Sequence, residues 1–133
     1  MNKPFSLSKN ERIKSKKTIE TLFQQGEAFF SYPYRIVYSL AQNAETPALC
    51  FAISVPKRFF KRAHDRNRIK RQTREAYRLQ KQSLLSNVQT HHHALNMMLI
   101  YQAREVMDSI SLHKHMQQCL EHLQKRIYPN PSS

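Results

Sequence analysis

Between Lys57 and Arg78 the chain gathers ten of its 22 Lys and Arg residues, opposed only by Asp65 and Glu75. This block restricts the possible folds more than any other feature. Its spacing is helical. Arg66, Lys70 and Arg74 fall at i, i+4 and i+8, and Asn67, Arg71, Arg74 and Arg78 form the neighbouring row. From Arg66 to Arg78 such a helix runs roughly 18 Å, at about 1.5 Å per residue. The opposite edge, Ile69, Thr73, Ala76 and Tyr77, is narrow. The helix can dock only through that edge. Its cationic face must stay in solvent or lie against a polyanion. The remaining residues have to form a scaffold that presents it.

Apolar patterning supplies that scaffold. Ile19, Leu22 and Phe23 at i, i+3 and i+4 predict a helix over about residues 15–25. Gly26, the only glycine, follows where a C-cap takes a residue with positive φ. Aromatic and β-branched residues predict a short strand near Phe29–Ser31 and a longer one over Tyr34–Ala41, with Pro33 at a strand start, edge or break. Residues 42–47 read as a turn. Ala48–Val55 is almost wholly apolar and reads as a central strand covered on both faces. Pro56 ends it, and residues 57–65 form a basic connector. Asp65 suits an N-cap or first-turn position of the basic helix, which runs to about Gln82. Leu84–His93 reads as a polar loop and Ala94–Gln102 as another buried strand. Val106–Ile127 reads mostly as a helix through Leu112, Met116, Cys119, Leu120, Leu123 and Ile127. Residues 1–14 read as a basic arm, 15–127 as a single domain, and 128–133 as a disordered tail. The order α-β-β-β-α-β-α gives an α+β fold, a small mixed sheet with helices packed on it.

Charge narrows the partner. A net charge of +13 and a pI near 10.2 favour a polyanion, nucleic acid first and an anionic membrane surface second. The basic helix lacks the wide apolar face that membrane-surface helices insert. No run approaches the roughly 20 apolar residues of a membrane span, and the first residues show no signal-peptide core, so the expected compartment is the cytoplasm. Cys50 and Cys119 read as reduced, buried thiols. A solvated surface helix alternates its charges, whereas this one does not. Arginine's planar fork suits phosphate, and Asn67 offers a donor and an acceptor to a ribose hydroxyl or base edge. A single strand needs cationic walls and aromatic platforms. Lys57 and Arg58 are available cations; Phe23, Tyr34 and Tyr38 are available platforms, with the Phe29–Phe30 pair behind them. Phe23 and Tyr38 fit a core equally well. One glycine excludes a phosphate-binding Gly-rich loop. The acidic residues Glu20, Glu27, Glu45 and Asp65 are scattered, and His91, His92 and His93 are consecutive on an expected loop. No metal site and no catalytic cluster is therefore placed on this chain.

Arg66-Asn67-Arg68-Ile69-Lys70-Arg71, followed by Arg74-Glu75-Ala76-Tyr77-Arg78, closely resembles the RNR signature of the protein subunit of bacterial ribonuclease P. The resemblance extends to the strand ending Ile53-Ser54-Val55 with Lys57-Arg58 after it, to Ile19, Leu22-Phe23 and Gly26 upstream, and to Leu95–Tyr101 and the last helix downstream. It covers about residues 10–127. Lys61-Arg62-Ala63-His64-Asp65 stands where many members carry glycine and Ala-Val, and Ile19 stands at the family's early aromatic.

The resemblance implies a subunit of a ribonucleoprotein endoribonuclease whose active site lies on a large RNA. That enzyme removes the 5′ leader of precursor tRNA. Contact with the RNA subunit then falls to Arg66, Asn67, Arg68, Lys70, Arg71, Arg74 and Arg78. The leader falls to a cleft with Ile19, Phe23, Tyr34, Tyr38, Lys57, Arg58 and Lys61. Mg²⁺ is implied, bound mainly by the RNA. The implied partners are the ribonuclease P RNA and precursor tRNA, with no membrane and no obligate protein partner. A left-handed β-α-β crossover, contrary to the general rule, and a similarity to a domain of a small-subunit ribosomal protein are implied as well. The alternative is a non-catalytic RNA-binding protein of ribosomal type, which needs the charge but not the signature after an apolar strand.

Overall fold

A computed structural model describes residues 16–129; the expected arm over 1–14 and residues 130–133 of the expected tail lie outside them. The elements are α1 (Lys16–Gln25), β1 (Glu27–Ser31), β2 (Tyr34–Ala41), β3 (Ala48–Ser54), α2 (Ala63–Gln80), α3 (Gln82–Thr90), β4 (Ala94–Tyr101) and α4 (Ser109–Ile127). The strands form one mixed sheet in the order β1-β2-β4-β3. β1 and β2 pair antiparallel, β2 pairs antiparallel with β4, and β3 runs parallel to β4. Parallel neighbours need a crossover connection, and α2 with α3 supplies it.

Alternation along the strands gives the sheet two unlike faces. Tyr34, Ile36 and Tyr38 of β2, Leu49 and Phe51 of β3, and Leu95, Met97, Leu99 and Tyr101 of β4 join the main core with residues of α2, α3 and α4. Val37, Met98, Ala52 and Ile100 point the other way, where Leu22 and Ile19 of α1 meet them. One face is thus fully roofed by three helices. The other carries one short helix that covers part of it.

α2 docks through Ile69, Thr73, Ala76 and Tyr77, the edge its spacing specified. The Tyr77 ring centroid lies 4.2 Å from that of Phe51. Thr73 is the polar member of the edge. Its Oγ1 meets the Tyr34 hydroxyl at 2.7 Å, with both residues buried. Leaving one such buried partner unmatched costs about 1–3 kcal/mol, so this bond resists rolling of α2 on the sheet. α4 buries Leu112, Met116, Cys119, Leu120 and Leu123. Asp108 caps it, accepting from the Ser111 N–H at 3.0 Å and the Ser111 hydroxyl at 2.7 Å. Those bonds hold the Asp108 carboxyl below its usual range.

Several expectations change. β3 is an edge strand, not a central one. Its apolar run arises because Leu49 and Phe51 enter the main core while Ala52 packs under α1. Residues 82–90 form α3 rather than a loop, with Leu84 and Val88, one helical turn apart, buried. The order is therefore α-β-β-β-α-α-β-α. α2 starts at Ala63, two residues earlier than Asp65, which takes the first-turn place of its two expected positions. The last helix begins at Ser109, after a connecting segment. Gly26 is not in the left-handed region. Its N–H donates to Leu22 O at 2.8 Å. A Cβ there would press into Leu22 O and stand 2.8 Å from Tyr38 O. Close approach of backbone, rather than a turn conformation, calls for glycine. Tyr128, the first residue assigned to the tail, is half-buried, its ring centroid 5.5 Å from that of His93.

Candidate nucleic-acid interface

Docking through one edge forces the rest of α2 outward. Asn67, Arg68 and Arg71 are exposed, and Arg66, Lys70, Arg74 and Arg78 are partly exposed. These seven residues share one helix, but their roles differ. Arg66 Nη1 donates to Phe60 O at 2.8 Å and to Lys61 O at 2.9 Å, bracing the connector that leads into α2. Arg78 pairs with Glu75, Nη2 to Oε1 at 2.5 Å and Nε to Oε2 at 3.2 Å. That bond holds the Glu75 carboxyl below its usual range. The strongest outward charge therefore lies at Arg68 and Arg71, in the first half of α2.

The second surface is the partly covered face of the sheet. Strand register sets its rows. Phe30, Arg35, Ile100 and Ser54 stand side by side across the four strands, and Ser39, Asn96 and Cys50 form a parallel row. Phe30 and Arg35 are exposed and the others half-buried. α1 lies over the intervening row through Leu22, Val37, Met98 and Ala52. Phe23, next to Leu22, is 52% exposed beside this groove. Ile19 is half-buried under α1 and packs on the same cluster, so it shapes the groove rather than offering a ring. Lys57, Arg58 and Lys61 are exposed in the connector that leaves β3.

Tyr34 and Tyr38 are not platforms. Both point to the roofed face and are buried. Burial pushes the Tyr34 phenol well up. The Tyr38 hydroxyl donates to Glu27 Oε2 at 3.5 Å and accepts from Arg126 Nε at 3.3 Å. The Phe29–Phe30 pair is divided by the same alternation. Phe29 packs edge-on against Tyr38 at 6.0 Å, whereas Phe30 is 60% exposed on the α1 side. Sequence reasoning missed Arg35 and Tyr32, which is 46% exposed at the β1–β2 turn. The period-2 alternation with buried Tyr34 and Ile36 was the available signal for Arg35.

The histidine run closes α3. His91 Nδ1–H donates to Asn87 O at 2.8 Å, and His93 Nδ1 lies 2.7 Å from the Tyr128 hydroxyl. Burial, and the charge of His91 beside it, lower the basicity of His93. Among the described residues no three His, Cys, Asp or Glu side chains are placed to hold a metal ion. No helix among them is long and apolar enough to cross a membrane.

Comparisons with known proteins bear on the family and the fold. The Ribonuclease P family model matches residues 7–126. A Ribonuclease P protein component of Porphyromonas gingivalis is 37% identical over 116 residues, spanning 87% of this chain and 85% of that protein. Its counterpart from Chlorobaculum tepidum is 30% identical, spanning 94% of this chain and 84% of that protein. The RNase P protein of Staphylococcus aureus superposes with a TM-score of 0.60 at 24% identity, covering 90% of this chain and 97% of that one. The Thermotoga maritima protein gives 0.60 at 17% identity, covering 84% and 96%. These two likenesses speak to the fold.

Proposed function

The chain belongs to the ribonuclease P protein family, the protein subunit of an endoribonuclease, and from this we propose how its two surfaces divide the work. The outward face of α2 binds the ribonuclease P RNA through Asn67, Arg68, Lys70, Arg71, Arg74 and Arg78. Arg66 contributes mainly by holding the connector in place. The groove between α1 and the sheet binds the 5′ leader of precursor tRNA. Phe23 stacks on a base there, Phe30 extends the aromatic floor, and Lys57, Arg58 and Lys61 meet the phosphates. The active site lies on the RNA, and no hydrolytic step is assigned to a side chain of this chain. Among the described residues no three His, Cys, Asp or Glu side chains converge as an all-protein metal site would need. Mg²⁺ is taken as a ligand of RNA phosphates, and the protein's part is to add cationic charge beside them.

One observation carries this reading. α2 is anchored by four residues and leaves Asn67, Arg68 and Arg71 exposed, with the signature facing outward. The experiment is reconstitution with a bacterial ribonuclease P RNA at low Mg²⁺, followed by 5′ processing of a precursor tRNA. The protein should raise the rate above that of RNA alone. Absence of stimulation would overturn the reading, and RNA binding without stimulation would favour a structural RNA-binding protein.

A further inference from the structure

Two arginines stand on one ring. The Arg58 guanidinium carbon lies 4.8 Å from the Phe59 ring centroid, and that of Arg104 lies 3.9 Å from the same point. Both arginines are exposed. Neither has a carboxylate within ion-pair distance among the described residues. Two like charges held against one ring repel, and the ring's quadrupole offsets part of that repulsion.

The backbone on each side holds them there. Phe59 N–H and Phe60 N–H both donate to Pro56 O, at 3.3 and 3.2 Å. Phe60 is buried, its ring centroid 5.8 Å from that of Tyr101. After β4, Gln102 N–H donates to Pro33 O at 2.7 Å, Ala103 is buried, and the Tyr101 hydroxyl donates to Glu105 O at 2.8 Å. These bonds fix the main chain next to each arginine. The parallel strands β3 and β4 both end here, beside the row that carries exposed Phe30 and Arg35. Phe59 itself packs against the main core, so the pair stands at this end of the sheet on the roofed side.

We propose that Arg58 and Arg104, spaced by Phe59, form a clamp for a phosphodiester group of bound RNA, which makes Arg104 an RNA-binding residue. The inference rests on the reading of this chain as the ribonuclease P protein subunit. A guanidinium presents paired donors that match phosphate oxygens. Two of them stacked on the same ring without a carboxylate partner are partly preorganised, which lowers the ordering cost when phosphate arrives. Leader and RNA subunit both offer that group. A purely structural role, with Arg104 stapling the loop after β4 to the connector, would change stability but release no counterions.

The test uses holoenzyme reconstituted with wild-type protein, Arg104→Gln or Arg104→Lys. Kd is measured over a salt series for leader-bearing precursor tRNA, for mature tRNA, and for the protein on the RNA subunit, alongside melting temperatures. Arg104→Gln should weaken one arm about tenfold and lower its log–log salt slope by about 0.7–0.9. Arg104→Lys should restore the slope but lose affinity severalfold, because it keeps the charge without the fork. Loss confined to leader-bearing tRNA assigns the phosphate to the leader; loss in RNA-subunit binding assigns it there. Wild-type slopes for Arg104→Gln on every arm overturn the clamp, whatever its melting temperature. Should Arg104→Gln not fold, wild-type affinity in Arg104→Lys overturns it. If wild-type protein gives no stimulation, the functional reading fails instead.

Discussion

Leu22 and Phe23 are neighbours on α1 with opposite fates, and replacing each by alanine separates folding from recognition. Leu22 is 1% exposed in the cluster with Val37 and Met98; Phe23 is 52% exposed. Full burial of such a side chain contributes about 1.5–3 kcal/mol, so a half-exposed ring contributes about 1 kcal/mol to stability. Phe23→Ala should therefore lower the melting temperature by only about 3–5 °C. Leu22→Ala opens a cavity and should cost about 2–5 kcal/mol, a large share of a typical 5–15 kcal/mol total. Recognition reverses the ranking. A base stacked on an aromatic ring is worth about 1–3 kcal/mol, so Phe23→Ala should raise Kd for leader-bearing precursor tRNA by about fivefold to 150-fold. The assay compares holoenzyme Kd for leader-bearing and mature tRNA, with thermal melts of the free protein. An equal loss on both tRNAs would refute the stacking argument. So would a melting drop as large as that of Leu22→Ala with no leader-specific loss.

Other perturbations test the remaining parts. Gly26→Ala should destabilise by about 1–3 kcal/mol, since the new methyl must push Leu22 O or Tyr38 O aside; a denaturant titration with unchanged midpoint would contradict the close-approach account. Thr73→Val should cost about 1–3 kcal/mol by orphaning the Tyr34 hydroxyl, while Thr73→Val with Tyr34→Phe should recover most of it, and additive costs in this cycle would show that the bond is not made. Arg71→Ala should weaken binding to the RNA subunit and lower the salt slope by about 0.9, with stability unchanged; Arg66→Ala should lower stability as well, because its bonds to Phe60 O and Lys61 O disappear. Burial pushes the Cys119 thiol up to about 11, so the folded state holds its proton where an unfolded chain, near about 8.5, has lost it. Its contribution is full below that lower value and is lost as pH rises towards the higher one; melting curves that stay flat across this alkaline window would contradict the assignment.

The docking edge of α2 was legible because four residues at helical spacing stand out against a field of charge. The bounds of β2 were legible for a similar reason, with Pro33 before it and a polar turn after it. α3 was hidden because Gln82, Ser83, Ser86, Asn87, Gln89 and Thr90 surround Leu84 and Val88, and two buried residues one turn apart leave a faint periodic signal. The rank of β3 was hidden for another reason. An apolar run reports apolar contacts on both faces, and β3 makes them as an edge strand, with Leu49 and Phe51 in the main core and Ala52 against the α1-side cluster. Tyr34 and Tyr38 illustrate the limit at the site itself. Alternation shows that they share a face, but only the packing of α2 and α4 decides that the face is the roofed one.

α1 is joined to β1 by Gly26 alone, and that junction has a consequence for how the groove can diversify. The angle at which α1 leaves the sheet is set where the Leu22 and Tyr38 carbonyls crowd Gly26, main chain against main chain. The side chains that line the groove take no part in that contact. Its gauge and its lining are therefore inherited separately: substitutions at Phe23, Phe30 or Ser54 can change the chemistry of the groove while the jaw keeps its opening.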